Sequence, residues 1–331
     1  MQIGKVSEPI LKRSVLRQIN HRREEVLLRP GVGMDCCLLG TGEEEGILLT
    51  SNPITFGKDL PSHVAVHSAA NDITAAGGEM IGILLTLLLP EGSPESLLQN
   101  MIKETEKACE AYHIEIMGGH TEITAFVNQP VVTVTGVGKI RRSRVTASAG
   151  VLPGDEIVMT KWAGLLGTAI LAREHKNELT TRYNHDFIQN AVQFISYLPT
   201  EKEAALSEKL EVKLMHNASN GGIFGALWEL GARTGMGLTA DLNKIPIKQE
   251  TIEICEFFDI NPYQLLSGGS LLLVTGKGNE LADMLCDNGI PAVVIGRLTE
   301  DLGRIIRNQD ERRFLEPPKS DELYRIKAVK Q

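Results

Sequence analysis

An Asn-Asp pair stands inside a run of small and apolar residues, His63-Val-Ala-Val-His-Ser-Ala-Ala-Asn-Asp-Ile-Thr-Ala-Ala-Gly-Gly-Glu79, and no other stretch constrains the fold as much. The Ala, Val and Ile positions call for a helix buried over most of its surface, stopped by Gly77-Gly78. A helix enclosed in that way has to satisfy Asn71 and Asp72, because a buried carboxylate without a partner is strongly destabilising. A bound cation or a hydrogen-bonded ligand would serve as that partner. His67 and Asn71 stand four apart, as do Ser68 and Asp72, so polar atoms leave the Ala-rich surface together.

At 331 residues the chain is longer than a single core usually grows, which predicts two domains. Its formal charge of −8 and aromatic content of 5% argue against broad nucleic-acid or anionic-membrane binding, while leaving room for a local phosphate pocket. Cys36, Cys37, Cys109, Cys255 and Cys286 show no CxxC spacing, so reduced thiols fit better than a disulfide framework or a thiolate zinc site. Met1 to Leu16 lacks the apolar core of a signal peptide, and Met80 to Leu89 falls short of the roughly 20 residues of a membrane span. A cytoplasmic location is expected, with no nucleic-acid or membrane partner.

Short Gly-bounded apolar runs predict strands at 36–39 and 47–50, followed by the helix over 64–76 and a buried strand over 80–89. Ser93-Pro94-Glu95 predicts a helix start with Ser93 as the capping hydroxyl, the helix running to about Tyr112. A short strand at 115–117, a turn at Gly118-Gly-His-Thr-Glu122 and a strand over 130–140 come next. Residues 141–154, rich in charge, Ser, Ala and Gly, form the expected joint between domains 1–145 and 146–331. Beyond it, strands at 156–160, 212–216, 238–241, 271–275 and 292–298 alternate with helices, one of them opened by a capping box at Thr200 to Glu203. The pattern is α/β with α+β character.

Several segments carry candidate chemistry. Gly31-Val-Gly-Met-Asp35 precedes a strand, and glycines let backbone amides approach an anion closely. Gly118-Gly119-His120-Thr121-Glu122 follows a strand, where sheet proteins present binding loops, and His120 or Glu122 would suit a cation or a phosphate-bound water. His216-Asn217-Ala-Ser-Asn-Gly221-Gly222 joins a strand to a helix, whose opening amides form an anion site; a capped helix is the alternative. Lys5, Lys58 and Lys161 lie beside these segments and are candidates to touch phosphates. His63 and His67 have HxxxH spacing, but Val64 stands where a zinc protease has Glu; a zinc hydrolase using His63, His67 and His120 is the weakest reading.

In order, Gly31-Val-Gly-Met-Asp35, Thr50-Ser-Asn-Pro-Ile-Thr-Phe-Gly57, Ala69-Ala-Asn-Asp-Ile-Thr-Ala-Ala-Gly77, Gly118-Gly-His-Thr-Glu122, Gly167-Thr-Ala-Ile-Leu-Ala172 and His216-Asn-Ala-Ser-Asn-Gly-Gly222 resemble the aminoimidazole ribonucleotide synthetase (PurM-like) superfamily. The branch most resembled is that of the hydrogenase maturation factor HypE. The resemblance implies an N-terminal α/β domain whose sheet pairs across a homodimer, a C-terminal α/β domain, and Mg-ATP used to phosphorylate or dehydrate an oxygen-bearing acceptor. By position it implies magnesium at Asp35, Asp72 and Glu122. Nucleotide contacts are implied at Lys5, Gly31, Gly33, Asn52, Asn71, Gly118, Gly119, Gly221 and Gly222, and catalysis near His120, His216 and Asn217, with His120 or His216 as the acid-base partner.

The departures bear on catalysis. Members commonly carry Asp where Asn52 stands, Glu where Leu166 stands and Asp where Asn217 stands. An amide oxygen coordinates a cation without adding negative charge, and Leu166 does not coordinate at all. The chain ends Ala328-Val-Lys-Gln331 with no terminal Cys, so carbamoyl dehydration on a C-terminal thiol is not expected; the selenophosphate branch is not expected either, because no N-terminal Cys or equivalent nucleophile lies in a glycine-rich loop. An ATP-dependent enzyme is the first expectation. A nucleotide-binding dimer that has lost its catalytic acids, acting as a regulatory or maturation partner, is the second. The acceptor, small molecule or protein, is not written in the sequence.

Overall fold

The computed structural model describes residues 3–56, 61–145 and 150–328. The described residues divide into two compact units, one of residues 22–29 and 35–145, the other of residues 3–21, 30–34 and 150–328.

The first unit is a six-stranded sheet in the order β1-β2-β3-β6-β4-β5, formed by Val26–Leu28 (β1), Cys37–Gly40 (β2), Glu45–Ile54 (β3), Glu79–Pro90 (β4), Glu115–Thr124 (β5) and Val131–Arg141 (β6). Only β4 and β5 pair in parallel; the other ladders are antiparallel. Pro61–Ala75 (α1) and Glu95–Tyr112 (α2) supply its long helices. Alternation in β4 buries Ile83, Leu85, Leu87 and Leu89, and β6 buries Val132 and Val134. Fully enclosed Ala65, Val66, Ala69 and Ile73 keep α1 close to β3 and β6, as its composition requires.

The turn expected at Gly118–Glu122 is instead the continuation of β5, which runs unbroken from Glu115 to Thr124 beside β4. Gly119 makes this possible. Its φ is +149°, and a Cβ there would stand 1.8 Å from the Leu85 carbonyl oxygen, so only glycine lets the strands approach so closely. The caps differ too. Ser93 Oγ donates to the Pro90 carbonyl at 2.7 Å, leaving Pro94 in the cap position of α2, and Thr200 stands in the cap position of the helix at Glu201–Ser207 but does not cap it with its side chain.

The second unit holds a seven-stranded sheet in the order β13-β12-β9-β11-β7-β10-β8. Its strands are Glu156–Thr160 (β7), Leu214–Ala218 (β8), Gly237–Asp241 (β9), Ser270–Thr275 (β10), Ala292–Thr299 (β11), Arg304–Asn308 (β12) and Glu311–Phe314 (β13). Leu165–Glu174 (α3) and Gly222–Thr234 (α4) follow β7 and β8, and Glu322–Ala328 (α5) comes last. Ile157, Met159, Leu214, Ile223, Leu227, Leu230 and Leu272 belong to one buried cluster. Strand β8 begins and ends two residues later than expected, so Asn217 lies within it.

Candidate functional site

Two groups of polar side chains, one in each unit, gather most of the candidate residues. In the first unit Asp72 is 7% exposed and Asn71 2%, both on α1. Thr50 Oγ1 donates to Asp72 Oδ2 at 3.0 Å, and Asn52 Nδ2 donates to the same oxygen at 2.9 Å. Asn52 Nδ2 also donates to Thr50 Oγ1 at 3.1 Å. The alternation of β3 aims both side chains at the helix. Half-buried Asp35 stands two residues before Cys37, the partner of Leu49, so the chain enters β2 beside the stretch of β3 that carries Thr50 and Asn52.

One turn earlier on α1, His67 Nε2 lies 2.9 Å from His63 Nε2, and His67 Nδ1 bonds to the Tyr112 hydroxyl of α2. Two imidazole nitrogens at that distance are within hydrogen-bonding reach of each other. Among the described residues no group of three or more His, Cys, Asp or Glu is arranged to hold a metal ion.

His120 and Glu122 stand exposed on β5, His120 Nε2 lying 3.2 Å from Glu122 Oε2. Asn52 pairs with Val134, Val134 with Leu85 and Leu85 with Gly119, so three strand spacings, roughly 14 Å, separate β3 from β5. Glu122 lies three residues further along. Ligands of one magnesium lie about 2.1 Å from it, so within one chain Glu122 does not join Asp72 on a single ion. Gly118 and Gly119 likewise line this far edge and do not form a loop near Asp72.

In the second unit the convergence point is a residue no motif announces. Glu229, on α4, bonds through Oε2 to His216 Nε2 at 3.1 Å and through Oε1 to Lys5 Nζ at 2.6 Å. The His216 side chain has 0% exposure, so the direct acid-base role expected of it finds no open path to a ligand here; its Nε2 faces Glu229 instead. Gly33 packs onto the same turn: its φ is +72°, and a Cβ would stand 2.9 Å from the Glu229 carbonyl oxygen. Gly31 sits two residues before it, half-buried. Asn217 is buried in β8, paired with Leu271.

The loop Ser219–Gly222 does hold an anion, supplied by the chain itself. The Gly221 amide donates to Asp321 Oδ2 at 2.7 Å, while Asp321 Oδ1 accepts from the amides of Leu323 at 2.9 Å and Leu266 at 3.3 Å. Burial pushes the Asp321 carboxyl up to about 6 against the opposing pull of these amides. Lys161 is committed elsewhere, to Glu203 at 2.5 Å and the Tyr197 carbonyl at 2.8 Å, and burial pushes its ammonium down. Leu166 lies in the core beside Gly268, and Lys58 falls outside the described residues.

Thr50, Glu229 and Asp321 bond directly to candidate residues, and sequence reasoning misses them. Glu229 carries the same signal as Asp72: a lone acid in the apolar run Ile223-Phe-Gly-Ala-Leu-Trp-Glu-Leu230.

Two mixed-sheet α/β units in this order are the PurM-like two-domain architecture. Residues 33–140 match the model for the AIR synthase related protein N-terminal domain, and residues 153–307 match that for its C-terminal domain. The chain belongs to the AIR synthase related protein family. It is 25% identical to a putative hydrogenase expression/formation protein of Methanocaldococcus jannaschii, over 98% of this chain and 97% of that one. It is 24% identical to the carbamoyl dehydratase HypE of Cupriavidus necator, over 80% of this chain and 72% of the other. The crystal structure of the hydrogenase maturation protein HypE in complex with ATP superposes with a TM-score of 0.68 at 15% identity, covering 97% of each chain. Among the described residues no helix is long and apolar enough to cross a membrane.

Proposed function

We propose that this protein binds ATP with magnesium beside Asp72 and spends the γ-phosphate on phosphorylating or dehydrating an oxygen-bearing acceptor, a small molecule or a protein. The observation that carries this reading is the buried Asp72 carboxylate, held by Thr50 and Asn52 between helix and sheet. Its support from relatives is the carbamoyl dehydratase activity in the name of the Cupriavidus protein and the ATP in the HypE complex.

Magnesium passes a donor test at this place. Carboxylate and amide oxygens are ligands a hard divalent cation takes, and magnesium usually needs only one or two protein carboxylates, with waters and phosphates completing its shell. Asp72 would hold it, with Asp35 and the Asn52 amide oxygen as the neighbouring donors. Once bound, the ion would offset phosphate charge; the protein's own part is to orient the triphosphate and exclude water. Lys5 and the Gly31–Gly33 turn are the proposed phosphate contacts of the second unit. Gly221 and Gly222 would join them only after Asp321 withdraws.

We take the working form to be a cytoplasmic homodimer. The exposed edge strand β5, with Met117 and Ile123 at its surface, supports pairing between copies.

ADP release with candidate acceptors, measured for wild type and Asp72→Ala, tests the enzyme reading. Turnover that collapses in the variant supports it, whereas equal rates remove Asp72 from the mechanism. A non-catalytic nucleotide-binding dimer is the second reading. It is favoured by one observation: Asn52 satisfies Asp72 by hydrogen bonding, in the place where a second acid is expected.

A further inference from the structure

Strand β13 is the outer edge of the seven-stranded sheet, and among the described residues no strand pairs with its free side. All its residues, Glu311 to Phe314, are exposed. Register places the side chains of β11, β9, β12 and β13 in cross-strand rows. On the face away from buried Leu238 and Ala240, one row runs Arg297, Thr239, Ile305, Phe314 and the next runs Asp241, Arg307, Arg312. Phe314 is 75% exposed, and Leu302, in the turn between β11 and β12, is 79% exposed.

The arginines divide by face. On the helix side, Arg304 lies 4.0 Å from the centre of the Trp228 ring and Arg313 lies 5.7 Å from that of Phe224, both rings belonging to α4. On the open face Arg297, Arg307 and Arg312 are exposed, and among the described residues their side chains make no ion pair, hydrogen bond or ring contact. The two acids of that face are engaged with the backbone: Asp241 Oδ1 accepts from the Asn243 amide at 3.0 Å, and Glu156, opposite Arg297, accepts from the Gly278 amide at 2.8 Å. Arg307 stands directly opposite Arg312, and like charges so placed destabilise a strand pair. On a chain of formal charge −8, unbalanced cations beside an exposed phenylalanine fit an anionic partner that also carries apolar side chains.

The edge says what kind of partner. Its row of backbone donors and acceptors is completed by an extended polypeptide that adds a strand, which neither a nucleic acid nor a lipid surface does. A second copy is disfavoured, since pairing β13 with itself would bring two Arg312-Arg313 pairs together.

We propose that β12 and β13 form a docking surface for an acidic, extended segment of a partner protein, which adds a strand beside β13. Side chains two apart on that segment meet the open face, a carboxylate against Arg312 and Arg307 and an apolar side chain against Phe314. None of these residues belongs to the proposed nucleotide contacts, so the surface and the ATP reading stand or fall separately.

Anisotropy titrations of the full chain test it with a labelled, capped peptide alternating Glu and Val. Binding is expected, weakening with salt, and an affinity loss of about tenfold in Phe314→Ala. The pair Arg307→Glu and Arg312→Glu is expected to reverse the preference, so that a peptide alternating Lys and Val binds better than the Glu one; misfolding would not produce that reversal. Hydrogen exchange should slow within residues 311–314 when the Glu-Val peptide binds.

Four results would overturn the proposal. They are no binding of the Glu-Val peptide, equal binding by the same peptide N-methylated to block strand pairing, equal or tighter binding by an oligothymidylate, and exchange slowed only elsewhere. Self-association of wild type that disappears in Arg312→Glu would overturn it too, because the occupant would then be a second copy.

Discussion

Asn52 donates a hydrogen bond to Asp72 across 2.9 Å, so an amide nitrogen stands where the family resemblance leads one to expect a second carboxylate. The amide supplies the positive edge that a cation would otherwise supply, and the buried acid is satisfied by hydrogen bonds from the chain itself.

Asn52→Asp follows directly. It sets two carboxylates at hydrogen-bonding distance, which cannot both ionise without a counter-ion. Without magnesium the variant is expected to unfold about 1–3 kcal/mol more easily than wild type. Millimolar magnesium should restore much of that loss and leave wild type little changed. Thermal melts with and without the metal check both expectations.

Thr50→Val keeps the shape of a buried β3 residue and removes one of the donors to Asp72 Oδ2. Hydrogen bonds to charged groups contribute roughly 1.5–3 kcal/mol, so a destabilisation of that size is expected in denaturant unfolding. Magnesium affinity should change less than stability, since the hydroxyl acts on the acid and not on the ion.

Asp321 gives a pH-dependent signature. Its carboxyl is raised to about 6 in the folded protein from an ordinary value of 3.8, so folded chains hold the proton more tightly than unfolded ones between those values. Its contribution to stability is therefore fullest below the unfolded value and declines as pH rises through about 6. Asp321→Asn removes this slope. The stability of wild type relative to the variant should fall by up to about 3 kcal/mol between about pH 4 and pH 6.5, since a tenfold difference in proton affinity corresponds to roughly 1.4 kcal/mol. Urea unfolding of both proteins across that range checks it.

The buried Lys161–Glu203 pair, with side-chain exposures of 8% and 2%, belongs to structure and not to phosphate binding. Lys161→Met strands a buried carboxylate and is expected to cost about 3–5 kcal/mol, while adding Glu203→Met should recover most of that loss. ATP affinity should be the same in wild type and the double variant. A double-mutant cycle in denaturant, with a nucleotide titration of the double variant, measures both.

How far the sequence discloses this molecule depends on what each residue is asked to reveal. The helix carrying Asn71 and Asp72 is legible because its Ala and Val positions admit no exposed alternative. The Gly118-Gly119 pair reads as a turn and is not one, since glycine permits both a turn and the close strand contact that Gly119 makes with Leu85. Strands β12 and β13 escape a sequence reading because Arg304-Ile-Ile-Arg-Asn308 and Glu311-Arg-Arg-Phe314 are too charged to read as sheet. Motif order groups Glu122 with Asp72 but does not disclose that β6 and β4 stand between β5, which carries Glu122, and β3, whose Thr50 and Asn52 hold Asp72. Glu229 is easily overlooked because the motif before it ends at Gly222, although a lone acid in an apolar helix is the same signal that marks Asp72.

The central claim is that the Asp72 cluster grips a triphosphate through a divalent ion. Calorimetric titration of ATP into wild type and Asp72→Ala, each with magnesium and with chelator, tests it most directly. The account predicts heat of binding for wild type with magnesium, and a large loss of affinity either on chelation or in Asp72→Ala. Equal affinity in all four titrations, or no binding in any, would contradict it.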